Sequence, residues 1–395
     1  MATADANRTQ LRYIEEATWG TTPSTADMTE IRLTAESLNY GIEYIQSNEI
    51  RSDRMVSDLV QTGAECGGGL DFELSYAAFD DFLQAALFST WGSSISIATA
   101  DLIFNNSAST ITSSETSPFT ALSVGQWIKV ANSTNSLNDG YYLITTKTSA
   151  QNITVSPAPA VSVTTADNTA TINACMMRNG TTERSFSIER YHGDLSPALY
   201  FQFTGMKVNQ MTFNVQANSI LTGNMTFIGK DTSVATGAMS SGSVNTATNN
   251  DVMNSVSNVA QVREGGSLMS GVYIQGMDFT LNNNIRGLKA IGVLGNADLG
   301  AGALEVTGSM NLYLSNKDLY TKFAAGTESS ISFRVSEGGV IAGNTYIFTF
   351  HRFKFESNNI NATGINTDVM QNFTWRALRH ATYACMIQID KFAAE

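Results

Sequence analysis

The sequence predicts a mainly β fold: two tandem β-sandwich domains, each with one flanking α-helix, and a small inserted all-β module. Three observations predict it. Period-two alternation recurs in segments along the 395 residues, one strand-to-helix switch occurs twice, and an internal window is poor in charge. The first switch lies in "GGGLDFELSYAAFDDFLQAALF". Leu70, Phe72 and Leu74 alternate onto one face of a strand, with Asp71 and Glu73 on the other. Phe79, Phe82, Leu83, Ala86 and Leu87 then follow helical spacing and form one apolar stripe. Burying each large side chain of that stripe contributes about 1.5–3 kcal/mol before conformational entropy is subtracted. Gly67–Gly69 precedes a strand rather than opening a helix, so it reads as a turn or bulge and not as a phosphate cradle.

Residues 93–177 carry charge only at Asp101, Glu115, Lys129, Asp139, Lys147 and Asp167. Short apolar runs ("GQWIKVA", "GYYLITTKT", "NITVSP") alternate there with Ser/Thr-rich turns and an Asn138-Asp139-Gly140 hairpin signal. The window is read as a separate all-β surface module, Ig-like or similar. It interrupts a first domain made of residues 1–92 and 178–232. Residues 233–266 are rich in Ser, Asn, Gly and Thr, lack periodicity and read as a linker. The second domain is then 267–395.

The two domains read as copies. With Gly68 set on Gly308, Leu70 meets Met310, Phe72 meets Leu312, Leu74 meets Leu314, Phe79 meets Leu319 and Leu83 meets Phe323. Downstream, "SFSIERY" matches "SISFRVS", "FQFTGMKVNQMTFNV" matches "YIFTFHRFKFESNNI", and "NMTFIGK" matches "MIQIDK". Upstream lie "NEIRSDR" (Asn48–Arg54) and "NNIRGLK" (Asn283–Lys289), which share Asn, Ile, Arg and a closing basic residue. They are read as equivalent positions. Their Ile is expected to anchor packing, and Arg51, Asp53, Arg54, Arg286 and Lys289 are candidates for contact with a neighbouring subunit.

Only 15% of residues are charged, against about 25% in an average soluble protein. The net charge of -12 and pI near 4.7 argue against a protein that grips nucleic acid, which needs a basic stripe to displace counterions. Cys66, Cys175 and Cys385 are odd in number and scattered, as expected of structural thiols in a reducing compartment. His192, His351 and His380 have no partners at metal-ligand spacing, and no nucleophile, phosphate-loop or zinc signature occurs. Asp80 and Asp81 are placed on the solvated side of their helix. No catalytic residue, metal or cofactor is therefore expected. No run of about 18 apolar residues is present, and the opening "MATADANRTQ" lacks the apolar region of a secretory signal.

The segments "EEATWGTTP", "EIRSDR", "FELSYAAFDDFLQAAL", "FTGMKVNQMTFNV", "TGNMTFIGK", "NNIRG" and "VTGSMNLYLSNKDLYTKF" together resemble the tail tube proteins of long, non-contractile-tailed bacteriophages (siphoviruses). The resemblance covers residues 10–92 and 178–395. It implies a non-enzymatic virion protein, made in the host cytoplasm, whose domains close side by side into rings around an inner β-barrel. Stacked rings form the hollow tube that DNA crosses, without specific binding, during ejection. Two domains per chain imply trimeric, pseudo-hexameric rings, with hexameric rings as the alternative. Partners would be the chain itself and the tape measure, tail terminator and distal tail proteins. Asp71 and Glu73 are then lumen-lining candidates, with uncharged Asn311 and Tyr313 in their places in the second copy. Loops 41–66 and 231–266 are the candidates for bridging successive rings. The competing readings are a self-assembling fibre, adhesin or surface-layer subunit, which should carry an export signal, and a tail hydrolase, which needs a carboxylate or metal constellation.

Overall fold

The computed structural model describes residues 3–98, 101–338, 342–362 and 364–394. The first half contains β1 (Thr9–Glu15), β2 (Ala35–Glu36), β3 (Asn39–Gln46), β4 (Leu59–Glu73) and α1 (Asp80–Ala86). After the module come β5 (Met176–Arg178), β6 (Phe186–His192), β7 (Leu199–Gln216), β8 (Thr222–Gly229) and β9 (Asp231–Ala235). The second half contains β10 (Val259–Glu264), β11 (Ile274–Asn282), β12 (Glu305–Tyr313), α2 (Asp318–Ala324) and β13 (Ser329–Ser336). It ends with β14 (Thr345–Asn361), β15 (Met370–Ala377) and β16 (Gln388–Phe392). The protein is mainly β, as the alternation predicts.

Two long strands organise it. β7 has 18 residues and β14 has 17, and each serves two sheets. The first part of β7 pairs with β6 and β9, and its last part with β8 and β11. The first part of β14 pairs with β13 and β16, and its last part with β15. Register shifts mark the passage from sheet to sheet. They fall between Val208 and Gln210 in β7 and between Phe355 and Ser357 in β14. A bulge of this kind adds twist and bends a strand, which lets one strand close two sides of a sandwich.

The inner sheet has the order β3–β4–β8–β7–β11–β12–β15–β14, antiparallel throughout, with β2 extending β3 along the edge. Each half supplies four strands in the same order. Gly68 faces Phe227, which faces Val208; Gly308 faces Trp375, which faces Phe355. The register thus agrees with setting Gly68 on Gly308, but one downstream match needs correction. "NMTFIGK" lies in β8, whose counterpart is β15, whereas "MIQIDK" runs into β16, the counterpart of β9. In the first half only Lys230 separates β8 from β9. In the second, residues 378–387 separate β15 from β16, and alternation alone cannot show which strand was displaced.

β10 pairs with β13 as β1 pairs with β6, so the second outer sheet begins at Val259, inside the segment read as a linker. The rest of that segment is bound along its length. Met253 is buried and donates its N–H to the Leu74 carbonyl, while its own carbonyl accepts from Leu221. Arg32 Nη1 donates to the carbonyls of Thr248 and Asn250.

One hydrophobic core spans both halves, because the inner sheet is continuous across them. At the join, the rings of Phe213 and Phe279 stack at 4.9 Å with an interplanar angle of 18°. α1 buries Phe82, Leu83, Ala85 and Ala86 in this core, whereas α2 buries only Leu319. The acidic pair on α1 is not solvated as expected. Asp80 accepts from Tyr346 Oη and from Lys391 Nζ at 2.8 Å, and Asp81 accepts from Tyr13 Oη at 2.8 Å. Tyr346 and Lys391 belong to the second half, so Asp80 ties the two halves together.

Residues 95–174 form a separate eight-stranded sheet around their own core, which includes Phe104, Ile111, Phe119, Ile128, Val130, Ile144 and Ile172. The unit is inserted in the first half but seated on the second. Trp127 and Tyr141 pack on Ile347 and Phe392, and Trp127 Nε1 donates to Thr349 Oγ1 at 3.0 Å. Gln388 Nε2 donates to the Gly125 carbonyl and to Asp390, and its Oε1 accepts from Arg178 and lies 3.0 Å from His351 Nε2.

Burial pushes the Asp390 carboxyl up to about 8 and the His351 imidazole down to about 4. Folded Asp390 keeps its proton up to that pH, while an unfolded aspartate loses it near 4, so stability falls as pH rises through the interval. Folded His351 stays neutral while an unfolded histidine protonates below about 6.5, so its contribution falls as pH drops from there. The two oppose each other below about 6.5, and Asp390 acts alone above it. Denaturation midpoints should therefore fall between pH 6.5 and 8, and Asp390→Asn should flatten that slope; an unchanged slope in the variant would refute the assignment.

Candidate functional site: a polar sheet face and two sheet edges

The inner sheet has one face in the core and one polar face that no second sheet covers among the described residues. Alternation places Asp71 and Glu73 on the second face, as the sequence predicts for that strand. Asp71 is exposed and accepts from Asn224 Nδ2 on β8. Glu73 is half-buried at the end of β4, beside a cleft lined by Thr9, Glu30, Arg32 and Thr34.

Cross-strand pairs of polar and charged residues line much of the rest. The hydroxyls of Thr212 and Thr280 lie 2.9 Å apart, those of Ser357 and Thr374 lie 2.6 Å apart, and Ser309 donates to Asp278. Arg376 is held by both Glu305 and Glu356. Side chains engaged with one another across strands are a poor grip for a passing polyanion, and the acidic groups here repel one.

The two heptapeptides lie in corresponding connections but not at corresponding positions. From the register, Asn283 at the end of β11 corresponds to Ile42 within β3, and Asn48 lies six residues further along. The β3–β4 hairpin extends beyond the sheet, and "NEIRSDR" is its tip. Arg51, Asp53 and Arg54 are all exposed there. Arg51 pairs with Asp53 at 2.7 Å, and its hydrogen bonds hold the Asp53 carboxyl below the usual carboxylate range. Ile50 is fully exposed, whereas Ile285 is buried against Phe88 and Leu299. The shared Ile is therefore a packing anchor in one copy only, because the longer hairpin carries the other away from any core.

The second connection folds back on the first half as a clasp. Buried Asn283 donates through Nδ2 to the carbonyls of Ala86 at 3.1 Å and Val208 at 3.0 Å. Asn283 N–H meets the carbonyl of the bulge residue Asn209, and Ile285 N–H meets its Oδ1 at 2.8 Å. Asn296 Nδ2 reaches the Gly229 carbonyl at 2.8 Å, and Lys289 Nζ reaches that of Ala64 at 3.0 Å. Lys289 thus engages its own chain, while Arg286 is exposed on a short ribbon (286–288 with 298–300). Sequence reading missed Asn209, Asn283 and Asn296 as joint residues. The only signal was an Asn inside a repeated motif, in a chain rich in Asn.

Two edges of the inner sheet are free. Among the described residues, β2 and β3 pair only with β4, and the last part of β14 pairs only with β15. A sheet with two open edges, one polar face and a repeated order of four strands has the geometry of a unit that pairs edge to edge. The phage tail tube protein family matches residues 6–377. The chain belongs to that family. No curated protein matches it.

A tail tube protein is a structural component of the virion tail, built to associate with itself and with other tail components. Among the described residues, no group of three or more His, Cys, Asp or Glu side chains is placed to hold a metal ion. All three cysteines are free and buried, and burial pushes the Cys66 thiol up to about 12 and that of Cys385 up to about 11, which keeps both protonated.

Asn283→Ala would leave the buried carbonyls of Ala86 and Val208 without that donor, a cost of about 1–3 kcal/mol. Chemical denaturation should show that loss, while Arg286→Ala, on the exposed ribbon, should change stability by less than about 0.5 kcal/mol.

Proposed function

We propose that three copies of the chain close into a ring of six β-sandwich domains, and that rings stack into the hollow tube through which the genome leaves. The observation that carries this is the β7–β11 seam. It joins two copies of one domain edge to edge and leaves the chain with the same pair of edges that the seam has already joined once. Repeating one joint around an axis closes a ring and removes both open edges of the inner sheet, the strongest protection a β-sheet has against indiscriminate pairing.

In this reading the uncovered polar face, with Asp71 and Glu73, lines the lumen. Acidic Asp71, Glu73, Asp278 and Glu305 outnumber Lys354 and Arg376 on that face, so DNA phosphates meet repulsion and neutral amides and hydroxyls rather than counter-charges. The hairpin tip with Arg51, Asp53 and Arg54 meets a neighbouring subunit. Its ion pair sets register more than affinity, since exposed pairs contribute about 0–1 kcal/mol. Tape measure, tail terminator and distal tail proteins meet the ends of the tube.

Electron microscopy of the concentrated protein or of virions tests the ring directly: three chains per ring are expected, and six would refute the two-domain closure. Lumen assignment has a separate test. Virions carrying Asp71→Lys with Glu73→Lys should assemble normally but release DNA more slowly, with the deficit shrinking as salt rises. Unchanged release at low salt would remove these residues from the lumen.

A further inference from the structure

Both open edges have internal counterparts, and this fixes how they would meet. The seam runs from Gln210 opposite Asn282 to Gln216 opposite Gly276. On one side, β7 corresponds to β14 residue by residue, because the bulge between Val208 and Gln210 recurs between Phe355 and Ser357. On the other side, β11 corresponds to β2 and β3, because Phe279 faces Gly308 where Leu38 lies opposite Gly68, between the pairs Asn39–Gly67 and Glu36–Leu70.

We propose that β14 of one copy pairs antiparallel with β2 and β3 of the next in the register of the internal seam: Ser357 opposite Gly41, Asn359 opposite Asn39, and Asn361 opposite Ser37. The proposal rests on the ring reading and adds its atomic register. Side-chain chemistry fits this register on both faces. Half-buried Ile360 meets buried Leu38 where the stacked Phe213 and Phe279 meet inside the chain, so the core continues across the joint. Asn359 and Asn39 take the places of Thr212 and Thr280, and both point to the polar face. A slip by one residue would turn Ile360 toward an amide and Asn359 toward the core.

The joint between chains also differs from the seam within a chain. Asn283 of the clasp is replaced by exposed Ile42, and its acceptor residue Asn209 by Glu356, which is already bonded to Arg376. The intermolecular joint therefore has the ladder without the buried amide clasp. It forms between subunits that are already folded, where the internal seam forms as the chain folds.

Disulfide trapping tests the register. Thr212→Cys with Thr280→Cys is the internal control, since those side chains already touch within one chain. In assembled tubes, Asn39→Cys with Asn359→Cys should yield a covalent three-chain species on non-reducing gels. Each single variant should not, and Asn39→Cys with Asn361→Cys, displaced diagonally, should yield at least tenfold less. The register is overturned if tubes form and the internal control links but the 39/359 pair does not, or if the 39/361 pair links better. If the unmodified chain forms no tube, the ring reading falls, and the joint with it.

Discussion

The structure depends on one constraint: the backbone hydrogen bonds of a strand must be satisfied on both sides. β7 meets it in its inner part only by accepting β8 on one side and β11 on the other. That acceptance fuses the two halves into one sheet and one core. Once β11 is in place, Phe279 must lie over Phe213, and the aromatic layer of Phe333, Phe348 and Phe350 follows from it. The stacked pair adds about 0.5–1.5 kcal/mol beyond the area it buries, so the ladder and the core reinforce each other at the same place.

The two halves repeat one order of four strands in the inner sheet, and the seam makes them unequal. The second β11–β12 connection is consumed in the internal joint, where Asn283 occupies carbonyls at the end of α1 and at the bulge of β7. Its counterpart between β3 and β4 lies on an open edge of the inner sheet and projects as a long exposed hairpin. The outer sheets diverge as well. β5, on the return from the inserted module, covers the edge of β16, and the equivalent edge of β9 has no such strand among the described residues. Asp80, bonded to Tyr346 and Lys391, draws α1 of the first half onto the second. Asp80 thus serves as a tie between the halves and Asp81 as an anchor to Tyr13 on β1, where a solvated face was expected.

The module follows the same logic of local sequence and distant placement. Its low charge and short alternating runs gave it away as a separate β unit. Its seat on Ile347, Thr349 and Phe392 could not be foreseen, since those residues lie some two hundred positions away in another half of the chain. The buried carboxyl of Asp390 and the neutral ring of His351 belong to that seat. Their displaced proton affinities arise from burial in the folded chain and not from any sequence pattern.

By itself, the sequence determined the periodic features. Leu70, Phe72 and Leu74 against Asp71 and Glu73 fixed which face of β4 is buried, and Phe79 through Leu87 fixed a helix after it. The alignment of Gly68 with Gly308 fixed the repeat, because period and order survive when individual residues do not. Tertiary structure decided what periodicity cannot carry. It made β15, not β16, the counterpart of β8, since loop length is invisible to alternation. It made "NNIRGLK" an internal clasp and left "NEIRSDR" at an exposed tip, since burial depends on what lies across the sheet. Which edges stay open was decided there too, because hydrogen-bond pairing between strands far apart in the chain exists only once both halves have met.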